Sequence, residues 1–340
     1  MRLGPLFISI EGTELSSDEE QILLNDLIGG VVLFSRNYQN KDQLKLLVNS
    51  IKALKYPSLF VCVDQEGGRV QRFQDDFYPI PEMRSLGKMY DQSDQIAMQA
   101  AYYAAKILGL ELMNVGIDFS FAPVLDIDYG VSDIIGSRSF HSDPKIVGHL
   151  ASSFFDGFQD IGMQCIVKHF PGHGFVKEDS HQNTPVDQRS IQTIIKDLEP
   201  YKILISKGLR GIMTAHIKYP LVDKKIATFS RYWLTEYLQR ELQFNGIIFS
   251  DDLMMKSTDF LSSMMQKVNH SLEAGCDFVL ICNSMQAVSE CLSKLNFSDE
   301  QFTNLEEKSS SLRPLLDNSY DAESNLGESK TKLDLFQNSL

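Results

Sequence analysis

The sequence predicts a closed (β/α)₈ barrel, an α/β fold in one domain, and three observations predict it. Eight short apolar runs recur along the 340 residues, and each is followed by a stretch of helical period. The runs are nearly continuous in hydrophobicity rather than alternating, as parallel strands covered on both faces must be. No glycine fingerprint follows the first run, so eight alternations fit a closed barrel better than an open doubly wound sheet.

Residues 5–10 form the first run, which ends at Glu11, and residues 30–34 the second, ending at Ser35, Arg36 and Asn37. The third, 59–63, leads into Asp64, Gln65 and Glu66, and the fourth, 118–121, precedes Asp126 and Asp128. The fifth and sixth, 164–167 and 211–214, are followed by Lys168 and His169 and by His216. Residues 246–249 and 277–281 complete the set, with Asp251 and Asp252 after the former and Asn283 after the latter. The intervening segments 44–54, 97–115, 145–161, 190–207, 233–242 and 261–274 are amphipathic with helical spacing. From about Asp317 the chain turns polar and aperiodic, so residues 1–316 are assigned to the barrel domain and 317–340 to a flexible polar tail.

A composition 43% hydrophobic and 23% charged is that of a globular protein able to bury a sizeable core. The net charge of -13 opposes phosphate backbones and anionic lipid, so neither nucleic acid nor a membrane surface is expected as a partner. Cysteine is odd in number, and Cys62, Cys165, Cys276 and Cys282 lie in or beside apolar runs, which reads as buried reduced thiols. The amino terminus shows no signal-peptide pattern, and no apolar stretch approaches the ~18 residues that would cross a bilayer. A cytoplasmic monomer acting on a small molecule is the expectation.

In a barrel of this kind the catalytic groups come from the carboxyl ends of the strands. Each polar residue there could be a solvated loop charge; all of them converging on one face describe a pocket for a ligand rich in hydroxyls. The densest segment is Lys168-His169-Phe170-Pro171-Gly172-His173-Gly174, followed by Asp179-Ser180-His181. Three histidines and an aspartate within 13 positions invite a metal reading. Pro171 and Gly172 break the helix that would align His169 with His173, and the first run offers Ile8, Ser9, Ile10 and Glu11 where a barrel metallohydrolase wants paired histidines. No metal and no cofactor are expected. The other reading of Asp179 and His181 is a dyad in which the carboxylate orients the imidazole for proton transfer. Asp251 would complete a pair for glycoside hydrolysis, which needs a nucleophile or base on one side of the anomeric carbon and a proton donor on the other. Adjacent Asp252 could cap the following helix, which is compatible with catalysis by Asp251.

Several motifs carry a resemblance. They are Val63-Asp64-Gln65-Glu66-Gly67-Gly68-Arg69-Val70-Gln71-Arg72, Phe121-Ala122-Pro123-Val124-Leu125-Asp126, Gly136-Ser137-Arg138-Ser139-Phe140, the Lys168 segment, Asp179-Ser180-His181, and Phe249-Ser250-Asp251-Asp252-Leu253. In this order they resemble glycoside hydrolase family 3, and within it the single-domain NagZ-type β-N-acetylglucosaminidases of bacterial cell-wall recycling. The resemblance runs from about residue 6 to residue 283. It implies a retaining double displacement with Asp251 as nucleophile and His181, assisted by Asp179, as general acid/base. It also implies that Asp64, Arg72, Arg138, Lys168 and His169 bind a non-reducing N-acetylglucosamine, released from N-acetylglucosaminyl-1,6-anhydro-muramic acid or its peptides. His173 and His216 are expected to support the pocket through hydrogen bonds, and His141, His149 and His270 to be surface or helix residues. Larger members of the family carry a second domain, for which this chain has no room, so the acid/base must come from the barrel. Met254-Met255-Lys256-Ser257 and the tail depart from the family pattern. Two other readings stand beside this one, an N-acetylglucosaminide phosphorylase and a non-catalytic sugar-binding barrel.

Overall fold

A computed structural model of the chain describes residues 1–177, 184–315 and 321–338. Its frame is eight parallel strands: β1 (Leu6–Ser9), β2 (Ile28–Leu33), β3 (Phe60–Val63), β4 (Phe119–Ser120), β5 (Gln164–Phe170), β6 (Gly211–Thr214), β7 (Ile247–Asp252) and β8 (Phe278–Ile281). They pair in chain order, and the barrel closes where Ile8 of β1 lies opposite both Val31 of β2 and Ile281 of β8. Every predicted run is a strand. β5 and β7 extend past their apolar runs to take in Lys168, His169, Asp251 and Asp252. Polar side chains are tolerated there because the barrel mouth, unlike its middle, opens onto a cavity.

The barrel interior is filled by rings. Phe7 lies 4.7 Å from Phe278 and 5.4 Å from Phe249 between ring centroids, and Phe249 lies 5.2 Å from Phe278. The two edge-to-face pairs that Phe7 makes contribute about 0.5–1.5 kcal/mol each beyond the burial of their surface. Gly30 makes room for Phe7, since a Cβ on it would come within 2.4 Å of the ring. With the middle plugged, polar chemistry is confined to the mouth.

The surrounding helices begin where the sequence supplies caps. Asn40 accepts the Gln43 amide ahead of Lys41–Ala53, Ser93 the Ile96 amide ahead of Asp94–Asn114, and Asp143 with Pro144 starts Pro144–Asp160. Among the described residues no helix is long and apolar enough to cross a membrane. All five cysteines are buried free thiols.

The tail differs from its prediction. Within 317–340 the structure has a helix, Ala322–Gln337, capped by Asp321 and lying against the Asp94–Asn114 helix. Leu333 is fully buried, the Phe336 ring is 6.0 Å from Tyr103, and Lys330 pairs with Glu111 at 2.9 Å. Its apolar face consists of little more than Leu326, Leu333 and Phe336, so the helical period is hidden among polar residues. Residues 317–320, 339 and 340 lie outside the described residues.

Candidate active site

The strand ends surround a cavity of about 500 Å³ lined by Asp64, Arg72, Arg138, Lys168, His169 and Asp251, all six named from the sequence. Glu66, to which the sequence assigned no role, sits at its centre of charge. Arg138 donates to both Glu66 oxygens, Nε at 2.8 Å and Nη2 at 2.7 Å. Lys168 Nζ is 2.5 Å from Glu66 Oε1 and 2.6 Å from Asp64 Oδ1, and an Arg72 nitrogen is 3.8 Å from Asp64. Burial works to raise the Glu66 pKa, but the Arg138 and Lys168 charges hold it well below the usual carboxylate range. The ribbon Gln65–Gly67 and Val70–Gln71 folds back to bring Arg69 and Arg72 to the cavity. It turns at Gly67 and Gly68, with φ of 114° and 54°, a conformation other residues adopt only with strain.

Asp126 is a second carboxylate whose role the sequence did not disclose. Its Oδ2 lies 2.7 Å from His169 Nδ1, and its Oδ1 accepts the His173 amide at 2.6 Å. Burial alone would raise its pKa, yet His169 and the bonds it receives lower it. An ionised Asp126 only accepts, so Nδ1 of His169 carries the proton. His173 is buried, and burial pushes its pKa down to about 4.

Asp251 stands one residue from the end of β7 and lines the cavity. Its Oδ1 accepts the Asp252 amide at 2.8 Å. Burial opposes its charge, but His216, His169, that amide and Lys168 outweigh it, so its pKa is lowered and it is a carboxylate at neutral pH. His216 is buried and kept neutral by burial. Its Nε2 is 3.0 Å from the Asp252 carbonyl, which can only accept, so Nε2 holds the proton; Nδ1 then takes the Thr228 hydroxyl at 2.7 Å. His216 thereby fixes the backbone beside Asp251, the supporting role expected of it. Asp252 does not cap a helix as anticipated. Its Oδ1 accepts the Met254 amide at 3.0 Å and the Cys282 amide at 3.1 Å, closing a turn and tying it to the end of β8. The next α-helix, Met264–Ala274, is capped by Ser263.

Asp179 and His181 lie outside the described residues, within 178–183. The chain on either side of them is tightly held. Before them, Gly174 passes so close to Ile127 that a Cβ would lie 1.7 Å from its carbonyl oxygen. After them, Arg189 makes a bidentate pair with Asp187, its closest contact 2.7 Å, and a 2.8 Å pair with Asp197. Its guanidinium lies over the rings of Phe175, at 4.1 Å, and Tyr129, at 5.0 Å. Sequence reasoning missed this network, because nothing in the order of residues links Tyr129 to Asp197. Of the three remaining histidines, His141 and His149 bond to Asp91 and Tyr90, and His270 is half-buried beside Glu273.

The chain matches the Glycosyl hydrolase family 3 N terminal domain over residues 6–311. It is 47% identical over 297 residues to a beta-hexosaminidase of Thiobacillus denitrificans, covering 87% of this chain and 83% of that protein. To a beta-hexosaminidase of Nitrosospira multiformis it is 46% identical over 298 residues, 87% and 85% of the two chains. Its fold is similar to that of NagZ from Neisseria gonorrhoeae in complex with N-trifluoroacetyl-D-glucosamine. The TM-score is 0.91 and the identity 39%, over 99% of this chain and 98% of that one. A family 3 β-N-acetylglucosaminidase from Paenibacillus sp. str. FPU-7 is similar with a TM-score of 0.82 and 27% identity, over 96% and 67% of the two chains.

Proposed function

The chain belongs to glycosyl hydrolase family 3 and is a glycoside hydrolase of the beta-hexosaminidase type, and we propose that it is a retaining exo-β-N-acetylglucosaminidase. The observation that carries this reading is Asp251: an ionised carboxylate on a strand end, lining a cavity whose polar wall includes Asp64, Glu66, Arg138 and Lys168 held in ion pairs. In the first step an Asp251 oxygen bonds to the anomeric carbon while the glycosidic bond breaks, and His181 gives its proton to the leaving oxygen. In the second, His181 takes a proton from water as that water attacks the anomeric carbon and the bond to Asp251 breaks. An imidazole suits both halves, since its ordinary pKa of about 6.5 leaves both forms available near neutral pH.

Asp64, Arg72, Lys168 and His169 hold the sugar in this reading. Arg138, already bidentate to Glu66, acts mainly by fixing that carboxylate. The Neisseria protein's complex with N-trifluoroacetyl-D-glucosamine supports an N-acylated glucosamine in the cavity. The substrate in this reading is N-acetylglucosaminyl-1,6-anhydro-muramic acid or its peptides, fragments recycled from peptidoglycan. The enzyme works as a cytoplasmic monomer without a cofactor; the buried, unpaired cysteines support the reducing location.

The test is turnover of 4-nitrophenyl N-acetyl-β-glucosaminide beside the matching glucoside, with and without phosphate. Release from the former alone, independent of phosphate and giving the β-anomer first, is the expected result. A sugar phosphate as the product would replace this reading with the phosphorylase, and binding without turnover would replace it with the sugar-binding barrel.

A further inference from the structure

A second pocket, of about 600 Å³, lies between the loops that follow β6 and β7, at the same end of the barrel as Asp251. Ile226 and Phe229 line it and are buried, while Phe260, also lining it, is 60% exposed. Lys218, Lys224 and Lys225 stand around it, and among the described residues none of the three ammonium groups has an ion-pair or hydrogen-bond partner. The neighbouring carboxylate, Asp223, is taken up locally by the Ser230 hydroxyl at 2.5 Å and the Lys225 amide at 3.2 Å. In a chain of net charge -13, three unpaired cations around an apolar hollow make a local field opposite to the average one. The fitting ligand is anionic with an apolar body.

The pocket is joined to the catalytic cavity by a short path. Thr184, which lines it, donates its hydroxyl to the Ser257 carbonyl at 2.9 Å. Met255, two residues before Ser257, lines the cavity around Asp251, and Phe260 is five residues beyond Met255. Even fully extended, that stretch spans only about 17 Å, the reach of roughly five peptide units.

We propose that this pocket docks an acidic peptide carried on the leaving-group side of the substrate, with its carboxylates on Lys218, Lys224 and Lys225 and its apolar side chains on Phe229 and Phe260. The proposal rests on the reading of the cavity as an N-acetylglucosaminidase site whose aglycone bears a peptide. It accounts for an exposed aromatic and unpaired lysines at the catalytic end of the barrel, which the sugar chemistry at Asp251 leaves unused.

The experiment compares kcat/KM of the full chain on N-acetylglucosaminyl-1,6-anhydro-muramic acid with and without its acidic peptide, and on the 4-nitrophenyl N-acetylglucosaminide. The wild type should prefer the peptide form by roughly 5- to 10-fold, as two or three exposed ion pairs allow, through a lower KM. Raised ionic strength should erode the preference. Lys224→Glu combined with Lys225→Glu should abolish it while leaving the chromogenic activity unchanged, and Phe260→Ser should reduce it. Equal kcat/KM for the two natural substrates, or a preference that survives charge reversal, overturns the proposal. Failure of the wild type on the chromogenic substrate, which has no peptide, would instead show that the sugar reading itself has failed, and the proposal with it.

Discussion

Arg138 and Arg189 are both largely buried guanidiniums, each bidentate to a carboxylate, and the structure uses them for different ends. Arg138 holds Glu66, which in turn holds Lys168, and all three line the cavity. Arg189 holds Asp187 and Asp197 and packs on Phe175 and Tyr129, on either side in sequence of the segment that carries Asp179 and His181. In the first network Lys168 lies on β5 and Glu66 three residues past β3, so the barrel fixes the backbones of both, and Arg138 reaches them from the turn at 136–138. The second ties down the long connection between β5 and β6, whose described residues form no strand. Asp251 is positioned by β7 itself, whereas the segment that carries the proposed acid/base is flanked by residues held through side chains.

The widest separation between the two regions is expected from the proposed nucleophile. Asp251→Ala should lower kcat by at least about 10⁴-fold with an unchanged melting temperature, and a 2-fluoro glycoside should label Asp251 in the wild type. Labelling at Asp252 would move the role by one residue. His181→Ala should cost about 10²–10⁴-fold on sugar leaving groups and less on an activated phenolate, with partial rescue by azide. Asp179→Ala should follow the same pattern more mildly. Equal slowing of both leaving groups without rescue would remove His181 from proton transfer.

The loop anchor comes next. Arg189→Ala leaves Asp187 and Asp197 buried without their cation, so stability should drop by about 3–5 kcal/mol in denaturant unfolding. kcat should fall by about 10²-fold through displacement of the proposed acid/base, while KM for a simple N-acetylglucosaminide changes little. Glu66→Gln should do the reverse, raising KM with a loss of roughly 10-fold in kcat/KM, because the charge that fixes Arg138 and Lys168 is gone. If Arg189→Ala moved KM as Glu66→Gln does, the division between the two networks would collapse.

The smallest effect is in the dependence of stability on pH. His173, pushed down to about 4, is neutral in the folded state, whereas the unfolded chain takes up its proton near 6.5. The folded form binds fewer protons across that window, so the melting temperature should fall as pH drops from 6.5 toward 4. Below about 4.5 the stabilisation that Glu66 supplies in its charged form begins to be lost as well. His173→Gln should flatten the upper part of this profile.

Much of this was legible in the sequence. A strand covered on both faces must be apolar throughout, so the eight runs announced themselves, and a barrel places the residues after each run at one mouth. That is why Asp64, Lys168, His169 and Asp251, picked out by their positions, line the cavity, as do Arg72 and Arg138, which the family motifs added. Which charges meet was decided only by the tertiary structure. Glu66 and Arg138 are 72 residues apart and Asp126 and His169 are 43 apart, and a charge carries no mark in the sequence of its distant partner. The work of Asp252 comes from its meeting the Cys282 amide at the end of the neighbouring strand, and the helix at Ala322–Gln337 from the surface that Tyr103 and Glu111 offer it. Local periodicity determines what a segment can bury, but partnership depends on where the closed barrel brings chain ends together, and only the fold contains that information.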